Sequence, residues 1–405
     1  MRSRAHRRAA HRSAANRHGL RFVSLRVRTD AATLAGTAAR PATPRYARAM
    51  REALLRWFDG AARPLPWRRE PRDPYVTWVV EAMSQQTRID TVVARLPGFL
   101  ARFPDVTSLA AAGQDDVLAA WSGLGYYRRA RALHAAARVV VDELAGRWPT
   151  DLDGWLRLPG VGPYTAAAIA AQAFGVPAIA LDGNVRRLGA RLLGLSAPTD
   201  AALEAALAER LLAGGGPATL GRAAERSGSS DPPAARVAEA HRDAAFVAEA
   251  LVELGALVCT PRRPRCDACP LRPSCVAATD GDPTRFPAPR RRTPVETLEL
   301  HAWLTPRTCP AGALRLAFER RPSDGLWGGL YGPPWRAEPP PGGERLAGFR
   351  HALTHRRIEA VVWRTDAPPP GSSIRWLTRA EARDVGLAAI DRRALRLLDG
   401  AEAVP

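Results

Sequence analysis

From about Tyr46 to Val276, apolar residues recur at helical spacing, and the runs break at Gly60, Pro104, Gly113 and Pro149. Amphipathic helices separated by Pro/Gly punctuation have this period, so the region is predicted to be nearly all helix. Two helical patterns inside it, Leu152–Arg157 and Thr165–Ala173, flank Leu158-Pro-Gly-Val-Gly-Pro-Tyr-Thr165. Residues 212–240 contain Ala213-Gly-Gly-Gly-Pro217 and Gly228-Ser-Ser-Asp-Pro-Pro233, a composition that predicts a flexible insertion loop. The Pro- and Arg-rich stretch from Gly281 to Pro294 reads as a linker. After it the texture changes: Glu296–Leu304, Leu314–Phe318 and Ile358–Trp363 read as strands, and Ala380–Leu398 carries helical patterning. The expected fold class is therefore mainly α, followed by a small α+β domain.

Length and charge narrow the partners. At 405 residues the chain is long enough for two or three domains. Its formal charge of +19 points to a polyanionic partner bound through phosphate neutralisation. Twelve arginines against one acid, Asp30, lie in residues 1–50, which read as a disordered basic tail; a transit peptide is the alternative. Without that tail roughly +8 remains. No run approaches the roughly twenty apolar residues of a membrane span, so no membrane partner is expected. Lysine is absent from the whole sequence. Arginine suits bidentate phosphate contacts, but it cannot form the Schiff base that a lysine amine forms with a sugar aldehyde.

Four of the five cysteines fall in one short segment, as Cys259-x6-Cys266-x2-Cys269-x5-Cys275. Four thiolates this close suit either a tetrahedral zinc or a 4Fe-4S cluster, and their chemistry alone does not choose. Cys309 has no sequence neighbour of its kind and reads as a core residue.

Around Leu158–Thr165, Gly160 and Gly162 allow a tight turn with exposed amides, and Pro163 suits the first turn of the following helix. The product is a helix N-terminus open to a phosphate. Some twenty residues on comes Ala180-Leu-Asp-Gly-Asn-Val185, where Asp182 would cap a helix and Asn184 could orient it by a hydrogen bond. Upstream, in Trp78-Val-Val-Glu-Ala-Met-Ser-Gln-Gln-Thr87, Glu81 is a lone acid among apolar neighbours. Desolvation there would raise its pKa and suit it to general-acid work near neutral pH.

These segments together resemble the adenine DNA glycosylase (MutY) family of the helix-hairpin-helix, endonuclease III superfamily. The likeness rests on Glu81-Ala-Met-Ser-Gln-Gln-Thr87, Gly123-Leu-Gly-Tyr-Tyr127, Leu181-Asp-Gly-Asn184 and the cysteine spacing, and covers roughly residues 46–277. It implies a 4Fe-4S cluster on Cys259, Cys266, Cys269 and Cys275. It also implies Glu81 as the acid that protonates the leaving adenine and Asp182 as the carboxylate that meets the cationic sugar. Gln86 and Tyr126 match side chains that wedge into the base stack. Leu65-Pro-Trp-Arg68 matches a segment lining the adenine pocket, with Trp67 in contact and Arg68 for polar or phosphate interactions. Val80, Ala82 and Ser84 depart from the family pattern without removing a catalytic group.

At Tyr164 the strand-cleaving members of the superfamily carry a lysine; tyrosine fits the monofunctional pattern, hydrogen-bonding near the sugar or Asp182. Arg320–Tyr331 and Phe349-Arg-His-Ala-Leu-Thr-His355 resemble landmarks of the family's C-terminal MutT-like (Nudix-like) domain, which reads 8-oxoguanine, so His351, Thr354 and His355 are candidate base contacts. Leu353 and Thr354 depart from the usual landmark, and only about seventeen Pro-rich residues separate the two landmarks. A nucleotide pyrophosphohydrolase is disfavoured, because Trp335–Gly348 offers only Glu338 and Glu344 where a magnesium site needs clustered carboxylates.

The expected organisation is a disordered tail (1–45), an iron-sulfur domain (46–78 and 187–277), a six-helix domain with the hairpin (79–186), a linker (278–297) and a Nudix-like domain (298–400). The expected function is monofunctional excision of adenine opposite 8-oxoguanine or guanine in double-stranded DNA, by a cytoplasmic, DNA-associated bacterial monomer. The alternative is an endonuclease III-type glycosylase and lyase for oxidised pyrimidines. Arg262, Arg263 and Arg265, between the first two cysteines, are expected at phosphates.

Overall fold

The computed structural model describes residues 43–212, 234–289, 294–310, 312–353 and 355–402. Most of the basic tail, most of the 212–240 insertion and the candidate contact Thr354 lie outside the described residues.

The first apolar core is built by α2 (Pro74–Ser84), α3 (Ile89–Arg102), α4 (Val106–Ala111), α5 (Gln114–Ala120), α6 (Arg128–Asp142), α7 (Leu152–Leu156) and α8 (Pro163–Phe174). Trp78, Trp121 and Trp155 are essentially inaccessible at its centre. The second core gathers leucines from α1 (Pro44–Ala61), α9 (Gly183–Leu193), α10 (Asp200–Leu211) and α11 (Ala234–Leu257). Leu54, Leu203, Leu207, Leu251 and Leu254 there are fully buried, each contributing roughly 2 kcal/mol by leaving water. The two cores divide near residues 74 and 178: Tyr75 and Trp78 already belong to the first, and Ile179 and Leu181 to the second. The cysteine segment follows α11 and ends in a short α12 (Val276–Thr279). Among the described residues no helix is long and apolar enough to cross a membrane.

The C-terminal region carries β1 (Glu296–Leu304), β2 (Pro306–Thr308), β3 (Leu314–Arg320), β4 (Tyr331–Gly332), β5 (Trp335–Arg336), β6 (Glu344–Ala352), β7 (Arg356–Arg364), β8 (Ile374–Leu377) and α13 (Ala389–Glu402). One sheet runs β5-β1-β7-β6, with β1 and β7 parallel; in the other, β3 is flanked by β2 and β4 and also pairs with β8. Ile358, Ala360 and Val362 alternate inward on β7, as the period-2 pattern requires. The stretch after Trp335 forms no helix: it enters β6, which the sequence pattern did not reveal. The helix predicted over 380–398 begins at Ala389, where the buried Asp391 accepts from the Ala388 amide, Trp335 Nε1 and both Arg321 terminal nitrogens.

This domain docks on the first helical core. The Tyr127 hydroxyl donates to the Leu387 carbonyl at 2.8 Å, Arg392 to Ser122 Oγ at 2.7 Å, and Arg320 pairs with Asp115 at 2.8 Å. Leu330, Ile358, Ala388 and Ile390 join the apolar cluster of α2–α8, so the contact has a hydrophobic centre as well as a polar rim.

Candidate active site

The Leu158–Thr165 turn forms the predicted hairpin. Gly160 has a φ of +75°, and a Cβ there would collide with Ala132 of α6, so the position accepts only glycine. Gly162 is the N-cap of α8 and Pro163 its first residue, leaving the first-turn amides open. α8 packs against α2 and is tied to its end by Gln85, whose Nε2 donates to Thr165 Oγ1 at 3.0 Å.

Glu81 lies on the buried face of α2, only 8% exposed. Its Oε1 accepts from Gln172 Nε2 at 3.0 Å, while Oε2 is buried without a hydrogen-bond partner among the described residues. Burial raises its pKa from an ordinary 4.5 to about 7; Gln172 and the Tyr164 hydroxyl moderate the rise, and Glu249 and Asp182 add to it. Tyr164 was expected near Asp182 or the sugar. Burial pushes its pKa well up, and the carboxyls of Glu81 and, more weakly, Asp182 add to the rise.

Asp182 is the N-cap of α9, its Oδ1 accepting from the Val185 amide at 2.7 Å. Its Oδ2 accepts from Asn184 Nδ2 at 2.8 Å, and Asn184 is held in turn by Arg187 Nη2 at 3.0 Å. α11 passes so near that a Cβ on Gly255 would sit 2.7 Å from the Asn184 Cβ. Residues 182–187 thus form a carboxylate with both oxygens engaged and its orienting amide clamped.

Arg68 was expected to make polar or phosphate interactions, and its contacts here are polar: it is 14% exposed, pairs with Glu249 at 2.8 Å and Glu253 at 3.2 Å, and donates to the Arg63 carbonyl. Arg63 and Arg72 complete the cluster, at 2.7 Å from Glu253 and 2.8 Å from Glu249. Burial alone would raise the Glu253 pKa, but hydrogen bonds from Arg63 and Arg68 outweigh it and leave about 2; burial wins at Glu249, whose pKa is raised. Buried carboxylates 181 and more residues away capture the arginine. Trp67 is half-buried against the first core.

Gln86 and Tyr126 stand at two exposed tips, both with left-handed backbones, φ +58° and +47°. Beneath them lies Arg129, unremarked in the sequence. It donates to the carbonyls of Ala82 (2.8 Å), Met83 (2.7 Å), Leu124 (3.0 Å) and Gly125 (3.1 Å) and to Thr87 Oγ1 (2.9 Å). Its guanidinium also stacks 5.6 Å from the Tyr126 ring. Burial lowers its pKa to about 10.

Cys259, Cys266, Cys269 and Cys275 line one pocket with Arg191, Arg265 and Arg272. Burial, backed by the neighbouring sulfurs, raises the Cys269 thiol to about 11. Arg191 Nη1 donates to Cys259 Sγ at 3.4 Å and to the Thr260 carbonyl at 2.7 Å, and Arg187 Nε to the Cys259 carbonyl at 2.7 Å. Among the described residues no three His, Cys, Asp or Glu side chains are gathered as a single metal ion would need. Arg262 and Arg263 are exposed, and Arg265 is turned back to the Leu257 carbonyl at 2.7 Å.

His351 and His355 occupy the end of β6 and the turn into β7. Burial lowers the His351 pKa, with nearby Arg393 adding to the effect; His355 is exposed. Neither is brought into contact with Glu81 or Asp182.

Sequence reasoning passed over Gln172, Glu249 and Arg129. Gln172 carried a usable signal, being a lone amide in the apolar run Ala166–Phe174.

Residues 79–212 match the family model described as HhH-GPD superfamily base excision DNA repair protein, and residues 311–397 one described as NUDIX domain. Hairpin, buried acid and capped aspartate thus sit on a helix-hairpin-helix base-excision repair fold, followed by a Nudix domain. The adenine DNA glycosylase of Mycobacterium tuberculosis (strain ATCC 25618 / H37Rv) is 37% identical over 240 residues, 57% of this chain and 70% of that one. The chain belongs to the adenine DNA glycosylase family. The human adenine DNA glycosylase is 37% identical over 241 residues, but the match spans only 39% of its length. A solved thermostable thymine-DNA glycosylase is 26% identical, covering 59% of this chain and 100% of that one, with a TM-score of 0.48.

Proposed function

We propose that this chain is a monofunctional DNA glycosylase that removes adenine mispaired with 8-oxoguanine or guanine and leaves an abasic site. The observation that carries the reading is Glu81, a carboxyl buried beside Asp182 with a pKa of about 7. Such a group is half protonated at physiological pH and can give its proton to the leaving base. As the proton passes to a ring nitrogen of adenine, the glycosidic bond breaks and its electron pair leaves with the base. Asp182 faces the positive charge that develops on the sugar, with Asn184 and the Val185 amide holding it in place. Water then adds to the anomeric carbon and gives up a proton to the Glu81 carboxylate, which restores the acid. Extrusion of the base costs a few kcal/mol of stacking, and in this reading Gln86 and Tyr126, on left-handed backbones, fill the gap.

Tyr164 and the absence of lysine support excision without strand cleavage, since no side-chain amine is present to form a Schiff base. In this reading the four cysteines hold a 4Fe-4S cluster. Their lining of one pocket is what a shared thiolate-bound centre needs, and membership of the family favours the cluster over zinc. Bound there, the cluster would cross-link the segment after α11. The hairpin amides and the exposed Arg262 and Arg263 would meet DNA phosphates, and His351, Thr354 and His355 the base opposite adenine. A monomer working on DNA in a bacterial cytoplasm completes the proposal.

The test is excision from duplexes carrying adenine opposite 8-oxoguanine or guanine, with products resolved before and after alkali, beside Glu81→Gln. Adenine release that needs alkali for strand cleavage, and that Glu81→Gln abolishes, is the expected result. Cleavage without alkali would favour the lyase alternative. Because Leu353 replaces an aromatic residue of the usual landmark, comparable rates on the two mispairs are expected.

A further inference from the structure

Two turns of α8 border the Glu81 carboxyl, with Tyr164 in the first turn and Gln172 eight residues on. Gln172 is half-buried and its Nε2 meets Oε1 at 3.0 Å, while Oε2 meets no hydrogen-bonding group among the described residues. The two oxygens of one acid are thus made unequal, Oε1 being fixed by the Gln172 amide while the Tyr164 hydroxyl borders the same carboxyl. We propose, building on the adenine-excision reading, that Gln172 is a positioning residue that reserves Oε2 of Glu81 as the proton-bearing oxygen.

A carboxylic acid carries its proton on one oxygen, and an N–H donor aimed at the other opposes protonation there, because two hydrogens would face each other. Pinned at Oε1, Glu81 holds its proton on Oε2, where the described protein offers no competing acceptor. When the O–H bond breaks and the proton passes to the base, the new carboxylate keeps the Gln172 donor as a charge-assisted hydrogen bond. The same amide fixes the side-chain torsion, so Oε2 need not be searched for at each turnover. Glu249 and Asp182, the other acids that act on Glu81, do so through space and offer no donor, and Tyr164 contributes its hydroxyl to the same carboxyl.

Gln172→Met keeps length and bulk while removing the donor, with Gln172→Leu as a second variant should the first not fold. Two readouts apply. The infrared carbonyl band of the protonated buried acid, assigned by its loss in Glu81→Gln, is titrated in the protein without DNA. Single-turnover excision is followed across pH, with duplex affinity measured separately. The expected result is a titration midpoint moved upward, excision slowed roughly tenfold below that midpoint, and unchanged affinity. An unmoved midpoint, or a moved midpoint with an unchanged rate, would overturn the proposal. If the wild-type protein releases no adenine, the excision reading falls, while the infrared titration still decides whether Gln172 governs Glu81.

Discussion

Tyr126 and Tyr127 are adjacent in the chain and turned to opposite sides: Tyr126 is 46% exposed on a left-handed backbone, whereas Tyr127 is 7% exposed and hydrogen-bonded to the Leu387 carbonyl. One short loop therefore presents an aromatic tip to the outside and anchors the C-terminal domain with the next residue. The two roles separate cleanly by substitution. Tyr127→Phe should cost about 1 kcal/mol in denaturant unfolding by deleting the hydroxyl contact. Tyr126→Ala should leave stability within about 0.5 kcal/mol but slow single-turnover excision roughly tenfold, the loss of one base–aromatic stack.

Glu81 sets the acid chemistry against stability. Its pKa rises from 4.5 to about 7 on folding, so between those values the folded protein holds a proton that the unfolded chain has released. Stability accordingly falls as pH rises through this window and levels off above it, by about 3 kcal/mol in all. Glu81→Gln, which cannot ionise, should lack that fall, and urea melts of the two proteins at pH 5 and pH 8 measure the difference. Excision by the wild type should decline about tenfold per pH unit above 7 as the acid loses its proton.

Arg68 holds two carboxylates that are almost wholly buried, Glu249 and Glu253. Arg68→Leu leaves Glu249 to Arg72 and Glu253 to Arg63, and should cost roughly 1–3 kcal/mol as the charged hydrogen bonds of Arg68 are lost. A phosphate-contacting arginine would instead change the salt slope of DNA binding by about one unit. Measuring affinity against salt in the charge-removing variant Arg68→Gln therefore separates the two roles, and an unaltered slope is the expected outcome.

Helix α9 begins at Asp182 and, through Arg187 and Arg191, grips the backbone of the cysteine segment. Cys269→Ser, or removal of a bound cluster with a chelator, should lower the melting temperature by roughly 5 °C or more. Amide hydrogen exchange should quicken along α9 and stay slow in α2. Uniform exchange in both helices would break this link.

The parts of the site that could be read from the chain alone are those whose geometry is local. Asp182 caps its own helix, Asn184 reaches back two residues, and Gly160 and Gly162 shape the hairpin they belong to. Glu81 stood out because its sequence neighbours are apolar and become its surroundings. Residues that act across elements were hidden: Gln172 reaches Glu81 from 91 residues away, and Arg68 finds Glu249 from 181. No local pattern encodes such pairs. β6 escaped for another reason, since Glu344–Ala352 is largely exposed and shows little of the apolar alternation that marks a half-buried strand. The helical core and the later strands were visible because their burial is periodic.

Arg129 fastens the ends of two separate loops to one guanidinium, which grips carbonyls below Gln86 on one side and below Tyr126 on the other. Neither tip can lift without straining the other's anchor. In the proposed function the two tips would therefore work as the jaw of one clamp rather than as two fingers, with its stiffness set by the single guanidinium that ties them together.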